Sequence, residues 1–139
     1  MSIKPYHDPV RPFFLTCCLM LSACHSSTNP SGAKNQSFTL APGQAGTTKV
    51  AAIRILFEGV VNDTRCPTDL SCLLPGDATV RLQVQSPGAQ AQSYDFHTSN
   101  LQPVAHDRAT IALVQLMPSP VSTKTIAPSE YRATLRVDE

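Results

Sequence analysis

Sulfur, imidazole and carboxylate groups are the side chains of this chain with the most chemical potential. There are five cysteines (Cys17, Cys18, Cys24, Cys66 and Cys72), and histidines stand at positions 25, 97 and 106 beyond the first stretch. Redox-active dithiols use Cys-x-x-Cys at a helix start, where the thiolate is stabilised. Five residues separate Cys66 from Cys72, and no helical stripe surrounds them. Two histidines close to Met117 could bind copper. However, His25 lies in a polar stretch and His97 on the charged side of an alternating run, so solvated imidazoles are expected and no metal ligand is assigned. Asp63, Asp69 and Asp77 bring hard oxygen ligands near Arg65, but their spacing matches no calcium loop. The simpler expectation is a frame in which Asp63 or Asp77 meets Arg65 and backbone N–H groups. Ser, His and Asp can be combined into a hydrolase triad on paper, yet no Gly-x-Ser-x-Gly context and no Gly-rich phosphate loop occur. No catalytic residue and no cofactor is assigned.

Cys24 stands apart. It ends Leu21-Ser22-Ala23-Cys24, behind an apolar run over residues 13–21 and a segment carrying Lys4 and Arg11. The apolar run is too short for a membrane-spanning helix, which needs about 20 residues, and fits a signal-peptide core. The four residues resemble the lipobox of bacterial lipoproteins. The resemblance implies cleavage before Cys24 and acylation of its sulfur, with residues 1–23 as signal peptide. Each buried CH₂ of an acyl chain contributes about 0.8 kcal/mol, so two or three chains hold a protein firmly to a membrane. His25, where enteric-type sorting uses Asp for inner-membrane retention, implies the outer membrane, facing the periplasm. The segment before the apolar run departs from the usual pattern in holding Pro5, Pro9, Pro12 and Asp8.

The same resemblance removes Cys17 and Cys18 and commits Cys24 to lipid. Cys66 and Cys72 are then a pair in an oxidising compartment, where a disulfide is the expected state. It closes a loop of seven residues, for which the chain-entropy account gives about 2 kcal/mol. Pro67 stiffens the loop further. A rigid loop of this size could also offer Arg65 or Leu73 to a protease by preorganisation.

The elements that must position these groups are strands. After cleavage the chain holds as many Lys and Arg as Asp and Glu, so no basic face points to nucleic acid. Residues 24–36 are polar and turn-rich and are expected to form a flexible tether. From residue 37 the period is two. Ile53, Ile55 and Phe57 alternate, as do Val80, Leu82 and Val84, then Tyr94 and Phe96, then Tyr131, Ala133, Leu135 and Val137. The run 109–117 is more continuously apolar, which suits a strand buried on both faces. Ala41-Pro42-Gly43, Pro75-Gly76-Asp77, Ser86-Pro87-Gly88, Pro118-Ser119-Pro120 and Ala127-Pro128-Ser129 supply turns. The pattern predicts an all-β fold: a small antiparallel β-sandwich over 37–139, immunoglobulin-like in size, with one short-loop disulfide.

A second resemblance runs through Phe38-Thr39-Leu40-Ala41-Pro42-Gly43, Phe57-Glu58-Gly59-Val60, Asp63-Thr64-Arg65-Cys66-Pro67, Cys72, Gly76 and the final Tyr131-Arg132-Ala133. These residues resemble an uncharacterised family of small secreted or lipid-anchored bacterial proteins with an Asp-Ser-Arg-Cys-Pro motif, a second Cys and Trp-x-Gly. Thr64 replaces the serine, and Leu74 stands where a Trp is common, losing the indole donor. The family carries no assigned activity. Asp63, Arg65, Pro67, Gly76 and Asp77 are expected to form a structural loop. The functional expectation is a non-catalytic binding or structural module, held at the membrane by Cys24 and meeting an envelope protein or glycan. A periplasmic metal handler or an enzyme with an unrecognised site is the alternative.

Overall fold

β4 (Ala78–Gln85) shows most simply how the sequence becomes structure. Ala78, Val80, Leu82 and Val84 are buried while Thr79, Arg81, Gln83 and Gln85 are half-exposed, as a two-residue period dictates. The computed structural model describes residues 35–139. Cys24, the signal segment and residues 24–34 of the expected tether lie outside the described residues.

Among the described residues eight strands follow in order: β1 (Asn35–Leu40), β2 (Ala45–Thr47), β3 (Arg54–Asp63), β4, β5 (Gln92–His97), β6 (Val104–His106), β7 (Ala109–Met117) and β8 (Arg132–Asp138). A short 3₁₀ turn, Pro128–Glu130, precedes β8. One sheet has the order β1-β8-β7-β6 and the other β2-β3-β4-β5, all paired antiparallel. β2 to β5 form a meander, and so do β6 to β8. The chain changes sheet between β1 and β2, and again between β5 and β6; β8 returns beside β1. The fold is the expected all-β sandwich, reached without a Greek-key crossing among the described strands.

The inner faces meet in one core. Ile55, Phe57, Val80, Leu82, Val84 and Phe96 come from one sheet; Leu40, Ile111, Leu113, Leu116, Ala133, Leu135 and Val137 come from the other. With no Trp in the chain, β-branched and leucine side chains supply most of the buried volume. The first sheet change is made at Ala41-Pro42-Gly43, where Gln44 N–H donates to Ala41 O at 2.9 Å and Gly43 takes φ +78°.

Two boundaries differ from the sequence expectation. β1 begins at Asn35, inside the stretch assigned to the tether, because Asn35 and Gln36 pair with Asp138 and Val137 and the Gln36 amide oxygen accepts the Lys49 N–H. Polar composition alone hid an edge strand. β7 is also not buried on both faces throughout. A bulge between Leu113 and Gln115 changes which residues point inward. Ile111, Leu113 and Leu116 therefore reach the core, while Val114 is 47% exposed.

This register has a direct consequence. Leu135→Ala should cost about 3–4 kcal/mol in denaturant unfolding, the usual range for a buried leucine. Val114→Ala should change stability by less than about 0.5 kcal/mol. Similar losses from both substitutions would show that the bulge is misplaced.

Candidate functional site

The connection from β3 to β4 carries the disulfide, and its base is a polar clasp. Asp63 ends β3, and Arg65 folds back on it. Arg65 Nη2 donates to Asp63 Oδ2 at 2.6 Å and Nε to Oδ1 at 2.9 Å, a bidentate pair. Arg65 Nη1 donates to Leu116 O and Nη2 to Pro118 O, each at 2.9 Å. Tyr131, just before β8, donates its hydroxyl to Asp63 Oδ2 at 3.0 Å. One guanidinium thus ties the end of a strand in one sheet to the β7 end of the other. Burial acts to raise the Asp63 carboxyl, but the hydrogen bonds and charge of Arg65 and the Tyr131 hydroxyl outweigh it and hold Asp63 below its ordinary value. Burial and the adjoining carboxylate push the Tyr131 phenol upward.

Above the clasp the loop is held at several points. Cys66 and Cys72 form the expected disulfide, with Cα atoms 6.0 Å apart. Thr64 N–H donates to Asp77 O at 2.7 Å and Cys66 N–H to Pro75 O at 2.8 Å, extending the β3–β4 pairing into the loop. Pro67 opens a turn closed by Leu70 N–H on Pro67 O. Thr68 N–H reaches Pro120 O at 2.9 Å, and Asp69 accepts both the N–H and the hydroxyl of Ser122. Gly76 takes φ +69°, and a Cβ there would lie 1.8 Å from Thr64 O, so no larger residue fits.

Asp77 serves a different connection from Asp63. Its Oδ1 accepts Ser99 N–H at 2.9 Å and the Thr98 hydroxyl, and its Oδ2 lies 2.6 Å from His97 Nδ1. Burial opposes ionisation, but these donors from Ser99, His97 and Thr98 hold the carboxyl at about 2. Of the two carboxylates expected to meet Arg65, then, Asp63 does and Asp77 does not. Arg65 is not offered to a protease either: its side chain is committed to the clasp. The leucines point outward. Leu73 is fully exposed, Leu74 77% and Leu70 55% exposed. Leu74 therefore takes no buried role.

The histidines divide. His97 is exposed beside Asp77, as a strand's polar face predicts. His106 corrects the expectation of solvation: it is 4% exposed. Its Nε2 lies 3.0 Å from Ser86 Oγ and its Nδ1 2.9 Å from the Tyr94 hydroxyl. The only sequence sign was its place two residues after Val104, on the inward side of a short alternation. Met117 lies on the opposite end of β7 from the β6–β7 turn, and no group of three metal-competent side chains occurs among the described residues. No known family's model, no curated protein and no solved structure matches this chain.

The Asp77 arrangement fixes a pH dependence. Because folded Asp77 gives up its proton more readily than the unfolded chain, its contribution is complete above the ordinary value of 3.8 and fades as pH falls toward about 2. Denaturant midpoints should therefore fall more steeply from pH 4 to pH 2 in the native protein than in Asp77→Asn. Parallel acid limbs would discard this role for Asp77.

Proposed function

We propose that this chain is a bacterial envelope lipoprotein, anchored through Cys24 at the outer membrane and facing the periplasm, and that its disulfide loop docks into an apolar groove on another envelope protein. The observation that carries the reading is the loop itself. Leu70, Leu73 and Leu74 are exposed on a segment fixed by a disulfide, a bidentate ion pair and a glycine that admits no side chain. Exposed apolar groups on a preorganised loop lose little conformational entropy on binding. Leucine side chains add apolar area without donors or acceptors, which suits a protein groove better than a glycan.

Geometry favours a protein over the anchoring bilayer. β1 starts at Asn35 opposite Asp138, whereas the loop clasp holds Tyr131, before the other end of β8. Seven residues of β8 separate those ends by about 24 Å. Cys24 and Asn35 are eleven residues apart, with a contour of about 36–40 Å at full extension. Bringing the leucines back to the anchoring membrane would use most of that length and its entropy.

A photocrosslinking side chain at position 73 of the full lipoprotein should give one discrete protein adduct in intact cells, and the same probe at exposed Gln102 should not. Leu70→Asp with Leu74→Asp should lower that adduct at least about tenfold without shifting the melting temperature. Adducts to lipid alone, or equal adducts from both positions, would end the docking proposal. The anchor is tested separately: Cys24→Ala should move the protein from the membrane to the soluble periplasmic fraction. Unchanged membrane fractionation would overturn the lipid assignment and leave the docking result standing.

A further inference from the structure

We propose that Ser86 is a nucleophile for acyl transfer, with His106 as its general base, acting on small carboxylic esters. The site lies at the end of the sandwich away from the disulfide loop and is independent of it. Ser86 follows β4, and His106 ends β6; twenty residues separate them in sequence, and a hydrogen-bond distance of 3.0 Å in space. The Tyr94 hydroxyl donates to Gln92 Oε1 at 2.7 Å, so its oxygen is left to accept from His106 Nδ1–H. That choice of tautomer turns the Nε2 lone pair toward Ser86 Oγ, as a general base requires. Tyr94 also packs edge-on to the imidazole, with ring centroids 5.7 Å apart. The single Ser86 hydroxyl hydrogen serves one acceptor at a time: Asp107 Oδ2 holds it in the resting structure, and it turns to His106 Nε2 for reaction, where the same carboxylate, 3.8 Å from Nε2, is placed to stabilise the imidazolium once it forms.

Ser86 opens onto a pocket of about 490 Å³, lined also by Lys49, Ala51, Ala52, Asp107, Arg108 and Glu139 among others. Lys49 and Arg108 are the cationic groups of that lining, Arg108 with its Nη1 3.8 Å from Glu139 Oε1, and an oxyanion formed in the pocket would lie in their field. All three non-glycine residues with positive φ among the described residues line this pocket: Ala51 at +55°, Ala52 at +52° and Asp107 at +51°. Alanine gains nothing from the left-handed region, and such conformations gather where a site needs a set backbone path.

In the reaction, Ser86 Oγ adds to the ester carbonyl as its proton passes to His106 Nε2. The carbon–oxygen bond to the leaving alcohol breaks, and Nε2 returns the proton to that oxygen. Water then adds to the acyl-Ser86 ester, giving its proton to Nε2. Collapse releases the carboxylic acid, and Nε2 reprotonates Ser86. Water is the only co-reactant.

A fluorophosphonate probes the site without knowledge of the substrate: the Ser86 Oγ–phosphorus bond forms, the phosphorus–fluorine bond breaks, and the proton goes to His106. Full-length protein treated with diisopropyl fluorophosphate should gain one adduct by intact mass, mapped to Ser86 and absent in Ser86→Ala. His106→Gln should slow labelling about a hundredfold or more. Exposed Ser93 of the same molecule is the internal reference and decides the matter should His106→Gln fail to fold. No adduct on the native protein, labelling of Ser93 as fast as Ser86, or a folded His106→Gln labelled at the native rate would each overturn the proposal.

Discussion

The Asp63–Arg65 pair is the constraint on which the upper half of this molecule depends. The two sheets meet along an apolar core, but apolar contact is non-directional and does not say how loops beyond the strands should lie. Arg65 supplies that direction. Its four side-chain hydrogen bonds run to a carboxylate at the end of β3 and to two carbonyls at the end of β7, and the same carboxylate holds Tyr131 before β8. Three connections are thereby fixed to one planar group. Desolvating both charges offsets much of their attraction, so the pair's value lies in geometry more than in net stability. A lysine would keep the charge and lose the fork.

The meander topology explains why polar groups collect at the two ends. Strands that neighbour one another in both sequence and space are joined at the ends of the sandwich, by tight turns or by the longer segments 64–77 and 118–131. One end gathers the β3–β4 loop and the segment after β7. The other gathers the loop before β3, the turn after β4 and the β6–β7 turn, and there Ser86, His106 and Asp107 come together. The sheets between them are ordinary packed faces that keep the two ends apart.

Much of the fold could be read from period-two alternation, because in β4 and β8 each apolar residue had a single place to go. The disulfide was legible once Cys24 was set aside. The rest depended on distance along the chain. Asp63 meets Arg65 from two residues away, and Asp77 is withdrawn from it by His97, Thr98 and Ser99, some twenty residues later in the chain. Val114 reads as core until the bulge turns it outward. His106 reads as surface because its partners stand twenty and twelve residues earlier, Ser86 in the turn just after β4 and Tyr94 on β5 of the other sheet. A polar residue in a short alternation gives no warning that its hydrogen-bond partners will come from across the sandwich.

The disulfide loop inverts the usual relation between apolar side chains and shape. Segments that turn their leucines inward are shaped by burial. Here Leu70, Leu73 and Leu74 face outward, so burial cannot hold the loop, and its conformation must come from elsewhere. The covalent link, the Arg65 fork, the Asp69–Ser122 contact and the close approach at Gly76 are the substitutes. Each acts through geometry and leaves the leucine side chains unspent. The polar frame and the exposed apolar tip are therefore one arrangement: the first is needed because the second contributes nothing to the core.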